Sequence, residues 1–92
     1  MLEKEIESAV KRYAESKGWI TRKWTSPNHA FVPDQIFISP SGKVIFIEFK
    51  QTGKKPTSGQ ESEQHRLRKN HAMLFVVYSV EVGKRVVDEN TI

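Results

Sequence analysis

The sequence predicts a small α/β domain whose helices and strands follow one another as α-β-β-β-α-β. Three observations support this prediction. Apolar residues recur at helical spacing near the N-terminus, two runs of β-branched and aromatic residues flank a tight-turn sequence, and a helix-capping signature precedes a dense apolar run. These elements need only one core, and 92 residues leave no room for a second.

The first helix is predicted from Leu2 to Lys17. Its apolar residues recur at three- and four-residue steps, with charged residues between them. Gly18 then ends the helix. A first strand follows from Trp19 to Thr25, where aromatic and β-branched residues are mixed, and the sequence Ser26-Pro27-Asn28-His29 breaks it.

The next two strands form a predicted β-hairpin, from about Gln35 to Ser39 and from Lys43 to Lys50. Between them lies the sequence Pro40-Ser41-Gly42. Proline fits the second position of a type I turn, and glycine fits the left-handed residue of a three-residue hairpin loop. The loop length therefore predicts which residues of the two strands face each other.

A polar loop is predicted from Gln51 to Gly59, followed by a second helix that ends near Asn70. The hydroxyl of Thr57 or Ser58 can cap this helix, because a glutamine or a glutamate follows three residues later. Leu67 is its only large aliphatic residue. The helix therefore offers little apolar surface for docking.

The last predicted strand is the dense apolar run from Met73 to Ser79. A short helix can follow Ser79. The sequence contains no internal repeat or low-complexity tract, so all the elements are assigned to one domain over residues 1–92.

Composition narrows the classes of function. Fifteen basic and eleven acidic side chains give a net charge of +4, which suits a polyanionic partner. The absence of cysteine excludes disulfides, thiolate zinc sites and cysteine nucleophiles, and it fits a reducing compartment. No segment approaches the roughly 20 apolar residues of a membrane span, and the acidic start is unlike a signal peptide. We therefore expect a cytoplasmic protein with no membrane partner.

The hairpin register places two carboxylates side by side. With a three-residue loop, Ile36 faces Phe46 and Asp34 faces Glu48, and all four share one sheet face because side chains alternate with a period of two. Lys50 continues along the same face. Directly opposed strand residues have β-carbons about 4.5–5.5 Å apart, so two negative charges there repel and require a counter-charge.

A divalent cation would supply that counter-charge. Oxygen-only ligand sets suit Mg²⁺ or Mn²⁺, which take one or two carboxylates together with waters and phosphate oxygens. Such a metal can polarise a phosphodiester and lower the pKa of a bound water, with Lys50 beside the nucleophile or the scissile phosphate. In the alternative interpretation, Asp34 caps a turn after Pro33, and Glu48 and Lys50 form an ion pair at the strand end.

These residues also resemble a nuclease signature. Pro33-Asp34, thirteen further residues and Glu48-Phe49-Lys50 match the PD-(D/E)XK pattern. The wider sequence, roughly Glu3 to Val77, resembles the virus-type replication-repair nuclease (VRR-NUC) domain. The segments that carry this resemblance are Lys23-Trp24-Thr25-Ser26-Pro27, Val32-Pro33-Asp34, Ile47-Glu48-Phe49-Lys50, Lys54-Lys55-Pro56-Thr57 and Gln60. The resemblance implies a small PD-(D/E)XK nuclease core with a mixed sheet flanked by helices.

The resemblance also implies roles for individual residues. Asp34 and Glu48 correspond to the metal-binding carboxylates, and Lys50 corresponds to the catalytic lysine. The backbone carbonyl of Phe49 would be a further metal ligand. Glu7 matches a helix glutamate that joins the metal site in the resolvase-like branch, although a glutamate here can equally form a surface pair one helical turn along.

Gln60 matches the glutamine that begins the second helix of the family and would act in catalysis. The alternative is that Gln60 only completes the capping box of Thr57, and the two roles can coexist. Three residues depart from the family pattern. Phe31 and His71 stand where glycines are usual, and Gln35 stands where an arginine that contacts phosphate is common.

Lys23, Ser26, Lys54 and Lys55 are the candidate DNA-binding residues. All four lie in segments that carry the resemblance, and the lysines beside a phosphodiesterase site could hold the DNA backbone. The alternative is that the lysines are solvated surface charges.

Together, the residues and the resemblance predict a Mg²⁺- or Mn²⁺-dependent endonuclease that hydrolyses phosphodiesters in branched or structured DNA, similar to Holliday-junction resolvases. Stand-alone relatives occur in phages and bacteria, so the cytoplasm of a bacterial or phage-infected cell is the expected location. Two alternatives stay open: a nicking or single-strand nuclease without junction preference, and a non-catalytic DNA-binding module of the same fold.

A homodimer is also expected. The chain is short, the second helix is poor in apolar residues, and the run from Met73 to Val80 is expected to leave apolar surface for a partner. Twofold association commonly covers such a patch, and it would bring two active sites to one junction, as in the resolvase-like relatives. The alternative is a monomer that buries all its apolar residues in its own core.

Overall fold

The computed structural model describes residues 1–92 and contains three helices and four strands. In chain order they are α1 (Glu3–Ser16), β1 (Ile20–Lys23), β2 (Gln35–Ile38), β3 (Val44–Phe49), α2 (Ser58–Lys69), β4 (Leu74–Val77) and α3 (Val80–Asn90). The predicted order is confirmed, and the helix after Ser79 is present as α3, with the Ser79 hydroxyl accepting from the backbone N–H of Val82. Strand β1 is shorter than the predicted range at both ends. None of the helices has the length and apolarity needed to cross a membrane.

The four strands form one mixed sheet in the order β1-β2-β3-β4. The first three strands are antiparallel neighbours, and β4 runs parallel to β3. The predicted hairpin register is confirmed, because Ile36 pairs with Phe46 and Ile38 pairs with Val44. Gly42 adopts a φ of 90° in the connecting loop, as the turn requires.

One face of the sheet carries the core. Helices α1 and α3 cover this face, which the odd-numbered residues of β2 and β3 form. The side chains that meet there are Ile6, Val10, Ala14, Trp19, Phe37, Ile45, Ile47, Phe49, Val77, Val86 and Val87. Gly83 of α3 lies so close to Val10 of α1 that an added β-carbon would overlap the valine, so these two helices pack tightly.

The opposite face of the sheet is largely uncovered. Helix α2 packs chiefly against β4 and reaches β3 through the Gln60 side chain, and its two buried residues are polar, as expected from its low content of aliphatic side chains. Half-buried and exposed apolar side chains therefore remain on the other three strands. We call this set the open face; it consists of Ile20, Trp24, Ile36, Ile38, Val44 and Phe46.

The apolar surplus does not lie in the segment that the sequence predicts. Within the run from Met73 to Val80, only Met73 is exposed, and Leu74 and Val77 are buried. Most of this run contacts other parts of the chain, because β4 pairs with β3 and packs against α3. The surplus apolar surface belongs instead to the open face.

Candidate active site

Asp34 lies immediately before β2, and its backbone and its side chain are both held by hydrogen bonds. Its carbonyl accepts a hydrogen bond from the backbone N–H of Trp24 at 3.0 Å, and Oδ2 accepts from the backbone N–H of Phe49 at 2.9 Å. Pro33 before it is fully buried. The carboxylate is therefore held across the hairpin from the end of β3, as the register predicts.

Glu48 lies on β3 on the same sheet face as Asp34, and only 3% of the residue is exposed. Its Oε2 accepts a hydrogen bond from Nε2 of Gln60 at 3.2 Å and lies 3.8 Å from Nζ of Lys50. The Lys50 side chain is itself only 13% exposed. Asp34, Glu48, Lys50 and Gln60 thus form one cluster, and both elements of the predicted motif belong to it.

Gln60 completes the predicted capping box and also contacts the acidic cluster. Its Oε1 accepts from the backbone N–H of Thr57 at 2.9 Å, and the Thr57 hydroxyl accepts from the backbone N–H of Gln60 at 3.2 Å, so the capping box is complete. Its Nε2 remains available for Glu48. The cap that starts α2 therefore also orients a carboxylate of β3.

Burial raises the pKa of both clustered carboxyl groups. Desolvation raises the pKa of Glu48 to about 7; the negative charge of Asp34 adds to this rise, and Lys50 opposes it. Desolvation also raises the pKa of Asp34, with the Phe49 hydrogen bond opposing it and Glu7 and Glu3 contributing. One lysine therefore does not balance the negative charge assembled here.

Glu7 approaches this charge from α1, and its carboxylate accepts a hydrogen bond from Nε2 of Gln35. Gln35 is 2% exposed, and its Oε1 has no hydrogen-bond partner. Gln35 thus occupies the family's arginine position as a buried partner of Glu7 and is not free to contact phosphate. No group of three or more acidic or histidine side chains is arranged to enclose a metal ion.

The donor set nevertheless fits a hard divalent cation. In Asp34 and in Glu48, one carboxylate oxygen accepts a hydrogen bond from another residue of the chain. Their pKa values are both raised because negative charge is buried without sufficient balance. Mg²⁺ needs only one or two protein carboxylates and takes its other ligands from water and phosphate, so two carboxylates suffice.

The candidate DNA-binding residues form no hydrogen bond or ion pair with the acidic cluster, although Lys23 pairs in the sheet with Gln35, the neighbour of Asp34. Lys23 ends β1, and Lys54 and Lys55 lie in the loop between β3 and α2; all three are exposed and form no ion pair. The backbone carbonyl of Ser26 accepts a hydrogen bond from the N–H of His29, which closes a turn. These residues belong to the segments on either side of the carboxylates along the chain.

Sequence reasoning missed two contacts near the site. His29 Nε2 lies 2.9 Å from Oε1 of Glu63, which ties the loop before β2 to helix α2. Phe31 packs its ring against Gly59 of the same helix. Phe31 and His71 both have positive φ values, 69° and 66°, so two positions that are glycines in the family pattern keep the left-handed backbone without glycine.

Comparisons with known proteins identify the family to which the chain belongs. A solved structure described as a VRR_NUC domain superposes with a TM-score of 0.87 at 29% identity and covers 96% of each chain. "Putative nuclease p44" of Acyrthosiphon pisum secondary endosymbiont phage 1 is 41% identical over 66 residues, which are 72% of this chain and 67% of that protein. A scan against protein-family models finds no match. On the phage relative and the structural likeness together, the chain belongs to the VRR-NUC family of nucleases.

Proposed function

We propose that the chain is a metal-dependent, structure-selective DNA endonuclease of the Holliday-junction-resolvase type. The observation that carries this proposal is the cluster of Asp34, Glu48, Lys50 and Gln60 at one end of the β2–β3 hairpin. A buried pair of carboxylates beside a single lysine stabilises a fold poorly, because the cost of desolvating the charges is not repaid. The arrangement suits a site that binds a cation together with a phosphodiester.

Asp34 and Glu48 would hold Mg²⁺ or Mn²⁺, with the Phe49 carbonyl and Glu7 as further ligands. When bound, the cation supplies a Lewis acid for the phosphodiester and lowers the pKa of a coordinated water. The hydrogen bond from Phe49 fixes one oxygen of Asp34, and the hydrogen bond from Gln60 fixes one oxygen of Glu48. Both carboxylates are thereby oriented before any ligand arrives, which lowers the cost of binding.

Lys50 is the group best placed to act on the reacting phosphate. Its ammonium lies 3.8 Å from Oε2 of Glu48 and is mostly buried, so it stays near the carboxylates. There it would orient the attacking water or offset the negative charge that develops on the phosphate oxygens. Gln60 is a positioning residue, because it acts through Glu48.

The exposed lysines would hold the DNA backbone. If Lys23, Lys54 and Lys55 contact phosphates together with Ser26, the logarithm of DNA affinity should fall with the logarithm of salt concentration by several units per decade. Replacing Lys55 with alanine should make that slope shallower by about one unit. A native slope near zero in a salt titration of binding would contradict a phosphate-tracking surface.

We also propose a homodimer formed through the open face. On this face, apolar side chains of neighbouring strands are covered by no helix, and they lie on the same side of the sheet as Asp34 and Glu48. A second copy covers such a patch by twofold symmetry and places two active sites on one particle.

The dimer can be tested by adding charge to the open face. Val44 is 42% exposed, so Val44→Lys should leave the monomer folded while it places a charge in the proposed interface. Light scattering should then report one chain instead of two. Leu2→Lys, at an exposed apolar residue of the first helix region, is the matched control and should remain dimeric. A native mass of one chain, unchanged by junction DNA, would contradict the dimer.

Parallel cleavage of a four-way junction, a flap, a duplex and a single strand, with and without Mg²⁺, tests the function. The proposal predicts Mg²⁺-dependent incision with the junction preferred. Equal cleavage of all substrates would favour the nicking or single-strand nuclease, and binding without cleavage would favour the DNA-binding module. The phage relative supports a cytoplasmic setting in a bacterial or phage-infected cell.

A further inference from the structure

Phe31 is an exposed aromatic residue in a strained conformation. It is 54% exposed and has a φ of 69°, a value that costs free energy for any residue with a β-carbon. It lies three residues before Asp34. Its ring belongs neither to the hydrophobic core nor to the cluster of Asp34, Glu48, Lys50 and Gln60. Packing of the fold therefore explains neither the strained backbone nor the exposed ring.

The ring of Phe31 is nevertheless held in place. One of its edges lies against Gly59, where an added β-carbon would come within 2.6 Å of ring atoms. The loop that carries it is tied to α2 by the 2.9 Å contact between His29 and Glu63. A recess of about 330 Å³ opens beside the ring, with His29 and Arg66 among its lining residues.

The recess is linked to the proposed catalytic cluster through Gly59, which is one of its lining residues. Gly59 directly precedes Gln60, whose amide contacts Glu48. Arg66 is largely exposed and lines the same recess as Phe31, where it lies 3.6 Å from the carboxylate of Glu63. An aromatic face beside a cation, next to a phosphodiesterase site, matches the way proteins hold a nucleotide whose base is unstacked.

We propose that Phe31 stacks on an unpaired DNA base next to the scissile phosphate. The inference rests on the proposed nuclease function and adds a base-stacking contact to it. Stacking requires an accessible base face, so the occupant is a nucleotide at a branch, an end or a single-stranded arm, and a base inside a continuous duplex is excluded. Phe31 would thus contribute to the choice of structured DNA, and the strain at its backbone is tolerated because it aims the ring outward.

The stacking contact can be measured with two forked duplexes that differ only in their unpaired arms. In one fork the arms carry bases, and in the other they are abasic phosphodiester chains of the same length and charge. Binding is followed by fluorescence anisotropy with Ca²⁺ in place of Mg²⁺, with the DNA checked for integrity. Phe31→Ala should weaken binding to the base-bearing fork about 5- to 100-fold and leave binding to the abasic fork unchanged. Leu2→Ala, at an exposed apolar residue elsewhere, should change neither affinity.

Two further variants separate stacking from folding. Phe31→Gly removes the ring and relieves the backbone strain, so it should unfold at a higher temperature than Phe31→Ala while binding the base-bearing fork equally weakly. Gly59→Ala should displace the ring and weaken the same binding. Combined with Phe31→Ala, Gly59→Ala should have no additional effect, because no ring remains for it to displace.

The outcomes also distinguish this inference from the proposed function. If the native chain binds both forks with equal affinity and Phe31→Ala changes nothing, the stacking inference is overturned and the nuclease proposal stands. If the native chain binds neither fork, both are overturned. A loss of affinity for the abasic fork that equals the loss for the base-bearing fork would assign Phe31 a structural role and would also overturn the inference.

Discussion

Replacing Lys50 with alanine should slow single-turnover DNA cleavage about 100- to 1,000-fold, the usual effect of removing one group that stabilises charge in a transition state. Metal affinity should stay close to the native value, because the proposed ligands of the cation are Asp34 and Glu48. DNA affinity should also change little, because the proposed phosphate contacts come from the exposed lysines Lys23, Lys54 and Lys55. A change confined to turnover identifies an interaction made chiefly in the transition state.

Lys43→Ala is the matched control for this experiment. Lys43 immediately precedes β3, at the opposite end of the strand from Lys50, and contacts Asn90 instead of the carboxylates. Its replacement should leave turnover within a factor of a few of the native rate. Cleavage by Lys50→Ala at the native rate would remove Lys50 from the mechanism, and circular dichroism would establish that the variant is folded.

The second large effect concerns stability without metal. The pKa of Glu48 is raised from its ordinary value of 4.5 to about 7 by burial and by Asp34, so the folded state binds this proton more tightly than the unfolded state. The resulting stability is fully present below about pH 4.5 and is lost as the pH rises to about 7. The shift in the pKa of Asp34 acts in the same direction. In a chelating buffer, the free energy of unfolding should therefore fall across this window.

Glu48→Gln should remove most of that loss. Glutamine has the shape of the protonated carboxyl group, and its oxygen can still accept the hydrogen bond from Gln60. The difference between a pKa of 4.5 and one of about 7 corresponds to at most about 3 kcal/mol of stability. At pH 8 the free energy of unfolding of the variant should therefore be about 1–3 kcal/mol higher than that of the native chain. Denaturant titrations at pH 4 and pH 8 measure this difference.

Glu89→Gln is the control for the stability experiment, because Glu89 is an exposed carboxylate with no side-chain hydrogen bond or ion pair. It should follow the pH dependence of the native chain. If the free energy of unfolding has the same pH dependence in Glu48→Gln and in the native chain, the ionisation of Glu48 is not the cause of the loss of stability. Mg²⁺ should stabilise the native chain and have little effect on Glu48→Gln, since the variant lacks the Glu48 carboxylate that is proposed to bind the cation.

Features that local rules determine are predictable from the sequence. The three-residue loop with Gly42 determines the hairpin register, and this register alone predicts that Asp34 lies opposite Glu48. The capping box of Thr57 predicts the start of α2. In each case the information lies within a few residues, where turn geometry and hydrogen-bond valence leave little freedom.

Contacts between distant segments are not predictable in this way. The bond between Gln35 and Glu7 depends on the angle at which α1 crosses the sheet, which no periodicity reveals. The location of the apolar surplus depends on which strand α2 approaches, and the density of the run from Met73 to Val80 indicates the wrong surface. The sequence marks Phe31 only as a departure from a family glycine, because its ring contact with Gly59 joins two segments that no local pattern connects.

Calorimetric titration of Mn²⁺ measures whether Asp34 and Glu48 together bind one divalent cation, as the proposed mechanism requires. Titrations of the native chain, Asp34→Ala and Lys50→Ala should give one site on the native chain, no measurable site on Asp34→Ala, and near-native affinity on Lys50→Ala. Affinity that survives Asp34→Ala and disappears in Lys50→Ala would contradict the assignment of the site.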